Sequence, residues 1–271
     1  MPPAQAPARL PARLKATLNF ARERRDDYVF SNYRPAWRTL ETAPLAVDMH
    51  DARDLAEAPT LGREGFEIHA LPVADPDWEN DDWVRAHYLP RVRRLVLRAT
   101  GGAEALTYPG SWVYRDTGRE GAAPAALYVH MDREYENCRQ LVRSHFDEAV
   151  WSQYPRFEVI NVWRSLTPPP QDYPLAFCDQ RTNDRADWIT CLTREPQLTE
   201  EMKHIVAVPN AGHRWYFFSD MTPDEVIVFR NYNDDEHAIP GCLHSAFHDE
   251  SARDAVPRAS FEARFYVFHH E

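Results

Sequence analysis

The stretch Tyr128-Val129-His130-Met131-Asp132 sets an imidazole and a carboxylate two residues apart. In an extended chain successive side chains alternate, so Tyr128, His130 and Asp132 share one face and Val129 and Met131 the other. One imidazole nitrogen and one carboxylate oxygen on a face make two corners of a metal site. A further histidine completes a two-histidine, one-carboxylate facial triad, which leaves three adjacent positions of Fe(II) open. Spacing alone is a weak signal: about two histidines followed by an acid at the second position are expected by chance from this composition. His130, His145, His248 and His269 all have one. Context separates them. His145 lies in a helical pattern, where two residues turn side chains about 200° apart. His248 falls in a turn-like stretch and His269 at the chain end, so only His130 follows an alternating run, "ALYVHMD". The competing account of His130 is a hydrogen-bonded core or rim histidine.

The C-terminal region adds to the pattern. "CLHSAFHDESARDAVPRASFEARFYVF" offers His244, then a polar loop, then Arg258-Ala259-Ser260 opening a final strand. Arg258 and Ser260 share a face, and a guanidinium beside a hydroxyl suits the far carboxylate of a dicarboxylic acid through charge-assisted hydrogen bonds. A lone arginine after a proline is ordinarily a surface residue, so the order His-x-Asp, distal His, Arg-x-Ser says more than any of its parts.

These residues need elements to position them. "LKATLNFAR" alternates as a half-buried strand, and short strand candidates follow at "PLAVDMHD" and "FEIHALPV". "DPDWENDDWVRAHYLPRVRRLVLRATGG" predicts a helix with Val84, Tyr88, Val92, Leu95 and Val96 on one stripe, kinked at Pro90 and stopped at Gly101-Gly102. A second helix is predicted from about Glu134 to Val150, with Tyr135, Cys138, Leu141, Val142 and Phe146 on its apolar side. "GSWVYRD", "AALYVHMD", "FEVINVWRSL", "YPLAFCD", "HIVAVPN", "HRWYFFS", "EVIVFRNYN" and "SFEARFYVF" read as strands. Many short strands with turn signals and no regular strand–helix alternation predict a mainly β fold with flanking helices, a jelly-roll or double-stranded β-helix. One domain is expected over 1–271, with 1–121 as an N-terminal cover and 122–271 as the core carrying the metal site. Residues 1–13 read as a mobile tail.

Composition narrows the partners. Lys and Arg number 31 against 42 Asp and Glu, a net charge of −11. That balance argues against nucleic acid or an anionic membrane surface, both of which need clustered positive charge. No secretory signal or transmembrane run is present in the sequence. The four cysteines are scattered, without a zinc or disulfide framework, which suits a reducing, cytoplasmic setting. A small-molecule substrate is the expected partner, and no residue pattern specifies an oligomeric state.

At "VHMD", "HSAF" and "PRASFEARFYVF" the chain resembles the Fe(II)/2-oxoglutarate-dependent oxygenases. More narrowly, it is similar to the family around the cephamycin 7α-methoxylase component and gibberellin-desaturase-like proteins of fungi and bacteria. "ATLNF", "GFEI", "INVWRSL", "PLAFCDQRT" and "HRWYFFSDMTPDEVIVFRNY" extend the likeness over most of the chain. The resemblance implies a double-stranded β-helix with Fe(II) on His130, Asp132 and His244. It points to Arg258, with Ser260, for the 2-oxoglutarate carboxylate. Arg264, on the same strand face, is a rival anchor, and Tyr128 is expected beside the cosubstrate. O2 is the second cosubstrate. The implied reaction is hydroxylation, desaturation or oxidative cyclisation of a small natural-product intermediate, coupled to decarboxylation of 2-oxoglutarate to succinate.

Asn161 and Trp163 share a face and are candidates for the substrate pocket, against core packing and a strand-edge hydrogen bond. His213 is the alternative third ligand, and His237, in an acidic loop, is expected to be solvated. Two other functions compete: a cupin-like isomerase or hydrolase using Zn(II) or Mn(II) as a Lewis acid, and a non-catalytic small-molecule-binding jelly-roll. The isomerase or hydrolase has no need for a 2-oxoglutarate anchor, so the Arg258/Ser260 pair discriminates against it.

Overall fold

A computed structural model describes residues 14–32, 34–120, 122–196, 198, 202–234, 241–250 and 252–270. The expected N-terminal tail and His237 lie outside the described residues. Before the main helix come β1 (Leu14–Ala21), β2 (Val29–Phe30), β3 (Thr42–Asp51) and β4 (Phe66–Ala70). After it come β5 (Glu104–Leu106), β6 (Trp112–Asp116) and β7 (His130–Met131). The remainder is β8 (Arg156–Ser165), β9 (Leu175–Cys178), β10 (Trp188–Thr193), β11 (Met202–Ala207), β12 (Trp215–Phe217), β13 (Glu225–Asn233), β14 (His244–Ala246) and β15 (Ala259–His269).

These strands form two sheets. One runs β1-β3-β12-β9-β14-β7-β11-β10-β2; the other runs β4-β13-β8-β15-β5, with β6 also on β15. Both sheets therefore draw strands from each side of residue 121. The alternation of the long strands sorts their side chains. Trp163, Ile227 and Phe229 of the smaller sheet pack with Phe177, Tyr216 and Ala246 of the larger one, forming an apolar layer between the sheets. On the opposite face of the smaller sheet, Ile160, Val162, Val228, Phe261, Ala263 and Phe265 pack under the main helix. The mainly β, jelly-roll architecture is the one read from the sequence. The larger sheet also curls: the Val129 N–H donates to the Asn19 carbonyl at 2.8 Å, and the Asn19 amide donates to the Leu127 carbonyl at 2.7 Å. That brings β1 against the approach to β7.

The main helix forms where its stripe predicts. The Asn80 side chain caps it, accepting from the Asp82 and Trp83 N–H groups at the start of α1 (Asp81–Trp83). Val84–Tyr88 winds as a π-helix before α2 (Leu89–Thr100). Pro90 explains the wide turn, since its ring has no N–H and collides with the carbonyl four residues back in regular α geometry. Gly101, at φ +69, closes the helix in the left-handed conformation. Val84, Tyr88, Val92, Leu95 and Val96 are all buried.

Two expectations need correction. The helix predicted from Glu134 to Val150 is α3 (Tyr135–His145) followed by a separate α4 (Glu148–Trp151). Phe146 is extended, and the Asp147 carboxylate caps the new helix by accepting the Ala149 N–H at 2.8 Å. The strand expected over "AALYVHMD" shrinks to His130–Met131. Its earlier residues spend their backbone groups elsewhere: Val129 on β1, and the Ala126 carbonyl on the Ala246 N–H. Among the described residues no helix is long and apolar enough to cross a membrane. All four cysteines are buried and free.

Candidate active site

His130 and His244 are 114 positions apart in the chain, yet β14 lies beside β7 and the two residues are direct antiparallel partners. Cross-strand partners project side by side from one face, and their rings lie 4.3 Å apart, centre to centre. Asp132, two residues beyond His130, turns to the same side. His130 Nε2 is 3.6 Å from Asp132 Oδ1, and His244 Nε2 is 3.9 Å from Asp132 Oδ2. One ligand atom from each residue falls within 4.8 Å of the others.

Hydrogen bonds decide which atoms face inward. His130 Nδ1 donates to the Tyr128 carbonyl at 2.8 Å, and His244 Nδ1 to the Cys242 carbonyl at 3.1 Å. Each bond puts the proton on Nδ1 and leaves the Nε2 lone pair for a metal. Burial first, then the neighbouring His130, pushes His244 down to about 3, so its imidazole is neutral. Burial alone would raise Asp132, but Arg264 and the two histidines outweigh it and hold the carboxylate well below its usual range. Metal–ligand bonds of about 2.1 Å at right angles put adjacent ligand atoms about 3 Å apart. The observed 3.6 and 3.9 Å need inward movements of less than about 1 Å. Two imidazoles and one carboxylate thus fit a divalent cation such as Fe(II), with one side left open.

The Asp132 carboxylate is itself held. Its Oδ2 accepts from the Asn161 amide and from Arg264 Nε at 3.2 Å. Its backbone N–H donates to Asn231 Oδ1 at 2.9 Å. On its far side Arg264 meets Glu262 in a second short ion pair.

Arg258 differs sharply from Arg264. It is 2% exposed, with Nη1 donating to the Tyr173 carbonyl and the guanidinium over the Trp163 ring at 5.4 Å. Its Nε has no partner, and it makes no ion pair among the described residues. Burial, with Arg115 adding to it, pushes Arg258 down to about 10. Ser260, buried next to it on β15, pairs in register with Ser165 and Arg115.

Tyr128 stacks on His130 at 4.6 Å between ring centres. Asn161, expected at the substrate, has its amide on Asp132 and a buried Oδ1 without a partner. Trp163 lies under Arg258. His213 is not brought to the cluster; its Nε2 is 3.2 Å from Asp187 and its ring stacks on Phe20. A cavity of about 970 Å³, bordered by Val47, Arg63, Arg181, Arg214 and Tyr216, also lies apart from the three clustered residues.

Glu262, Asn231 and His204 are absent from the sequence-based candidates. His204 is buried, its Nδ1 shares a 2.8 Å hydrogen bond with Thr193, and its ring stands edge-on to Tyr128 and His130. Alternation along "RASFEAR" does place Glu262 on the face of Ser260 and Arg264. Asn231 and His204 sit on strands with no local mark of such a role.

The comparisons agree with this chemistry. The Hydroxylase/desaturase efuI of Hormonema carpetanum is 31% identical over 286 residues, covering 93% of this chain and 94% of that one. The Fe(II)/2-oxoglutarate-dependent dioxygenase nvfI of Aspergillus novofumigatus is 29% identical over 235 residues, covering 83% and 84%. A solved structure of the iron and alpha-ketoglutarate-dependent endoperoxidase NvfI superposes with a TM-score of 0.82 at 25% identity, covering 95% of this chain and 98% of that one. The family model described as "YDMC: Oxidoreductase/YMDC permease-like domain" matches residues 18–268. With nearly its whole length matched, the chain belongs to that oxidoreductase family.

Proposed function

We propose that the protein is an Fe(II)/2-oxoglutarate-dependent oxygenase that oxidises a small natural-product intermediate. His130 Nε2, His244 Nε2 and Asp132 Oδ1 hold the iron, and Arg258, with Ser260, binds the far carboxylate of 2-oxoglutarate. Bound Fe(II), with 2-oxoglutarate and O2, supplies the oxidising power for an unactivated C–H bond, while decarboxylation of the cosubstrate yields succinate. The protein's contribution is positioning and exclusion of water. The Nδ1 bonds to backbone carbonyls fix the imidazoles, Tyr128 walls one side of His130, and the Phe177–Phe229 layer backs His244.

The observation that carries this reading is the pairing of a three-ligand cluster with a buried guanidinium that makes no ion pair among the described residues, the nearby Asp172 carboxylate being taken by the Arg258 backbone N–H. A buried unpaired cation is costly unless an anion neutralises it. Arg264 is the poorer anchor because Asp132 and Glu262 already occupy it. A Lewis-acid isomerase or hydrolase gives Arg258 no task. We further infer kinship to the cephamycin 7α-methoxylase component, on the sequence motifs, and a reducing, cytoplasmic setting, on four buried free thiols. One domain carries the whole activity. The test is O2-dependent succinate release from 2-oxoglutarate against a panel of terpenoids, amino acids and peptides. Iron-dependent succinate, stimulated by a panel member, is expected; none under any condition would sink the reading.

A further inference from the structure

Asp132 is held by one oxygen. Both the Asn161 amide and Arg264 Nε donate to Oδ2, while Oδ1 is the oxygen nearer His130 Nε2. Arg264 is fixed in turn by Glu262, which is 8% exposed and two residues away on the same face of β15. Carboxylate, guanidinium and second carboxylate thus form a buried row, Asp132–Arg264–Glu262. We propose that Arg264, braced by Glu262, is a positioning residue that makes Asp132 a one-oxygen ligand.

The count of coordination positions gives this its consequence, and it rests on the oxygenase reading above. Six positions around the metal must serve two histidines, one carboxylate, a chelating keto-acid and oxygen. If both oxygens of Asp132 bound, one of the three open positions would be lost. Two hydrogen bonds on Oδ2 use the lone pairs a second metal bond would need. The same donors also fix the plane of the carboxylate, with Oδ1 3.6 Å from His130 Nε2 and Oδ2 3.9 Å from His244 Nε2. Partners beyond the ligands commonly control ligand orientation in this way. Arg rather than Lys suits the task, because its planar fork spans Oδ2 on one side and Glu262 on the other.

The test uses the whole chain with Glu262→Gln and Arg264→Gln combined, which removes one buried charge of each sign and leaves Asp132 on the Asn161 amide. Arg264→Lys serves as a second variant. Anaerobic Fe(II) affinity by calorimetry and the visible metal-to-ligand charge-transfer band with 2-oxoglutarate are read beside the melting temperature of the metal-free protein. The double variant is expected to bind Fe(II) roughly 10- to 100-fold more weakly and to show a shifted or weakened band, with a metal-free melting temperature close to that of the parent. Arg264→Lys is expected to restore Fe(II) affinity only in part. A folded double variant with parental affinity and an unchanged band would overturn the proposal and leave the oxygenase reading standing. A parent protein that shows no band at all would remove both.

Discussion

Replacing Arg258 by Met separates an anion anchor from a structural arginine, because the two roles predict different responses before and after ligand. In the ligand-free protein the guanidinium has one carbonyl acceptor and one aromatic face. Losing these costs about 1 kcal/mol for the hydrogen bond and about 1 kcal/mol for the cation–π contact. Against that stands the burial of an unpaired charge. Its depression from 12.5 to about 10 corresponds to roughly 3 kcal/mol. The two sides nearly cancel, so the metal-free variant should lie within about 1 kcal/mol of the parent in urea unfolding. With cosubstrate present the balance changes. Two charge-assisted hydrogen bonds, each worth about 1.5–3 kcal/mol, make the loss in 2-oxoglutarate affinity about 3–6 kcal/mol, or about 10²- to 10⁴-fold. Anaerobic thermal melts with Fe(II) and rising 2-oxoglutarate report this directly. At a hundred times Kd the parent gains about 2.7 kcal/mol, and the variant should gain almost nothing at the same concentration. The reasoning fails if Arg258→Met keeps the parent's ligand-induced gain, or if it loses several kcal/mol without ligand while its affinity is unchanged.

Other outcomes follow from the same contacts. Asp132→Ala removes the one anionic ligand and should abolish iron-dependent succinate release, checked by coupled product assay; full turnover in this variant would refute the ligand set. Gly241→Ala places a Cβ 2.3 Å from the Asn231 carbonyl and 2.8 Å from Met131 Sδ. It should cost about 1–3 kcal/mol in urea unfolding and weaken Fe(II) binding, since Asn231 holds the Asp132 backbone. Glu158, buried between Arg230 and His269 at 2.9 and 3.0 Å, is lowered: burial opposes ionisation, and His269 and Arg230 outweigh it. Its contribution is therefore complete above the ordinary carboxylate value of about 4.3 and is lost as pH falls through the lower folded value. Stability followed from pH 7 into that acid range should drop less steeply in Glu158→Gln than in the parent.

Much of this was readable in the chain because it depends on period and spacing. Period two in "FEVINVWRSL" and "SFEARFYVF" gave the long strands and their faces, and the Val84–Val96 stripe gave the helix that covers them. His130 and Asp132 could be placed on one face because that needs only extended backbone, which holds even though the hydrogen-bonded strand is two residues long. Distance in the chain hid the rest. Arg264 reads as a spare arginine beside Arg258 until Asp132, 132 residues earlier, is seen against it. Nothing local marks Asn231 or His204, whose partners come from other strands. The break at Phe146–Asp147 was visible in principle, since an aspartate followed by Glu-Ala-Val is a helix-start signal, but the continuing apolar stripe concealed it.

The most direct check is to titrate Fe(II) into the protein under argon with 2-oxoglutarate present, while watching for the visible charge-transfer absorption. One equivalent of iron should complete the band in the parent, and His244→Ala should show none at that concentration. A featureless spectrum in the parent, or an undiminished band without His244, would contradict the account.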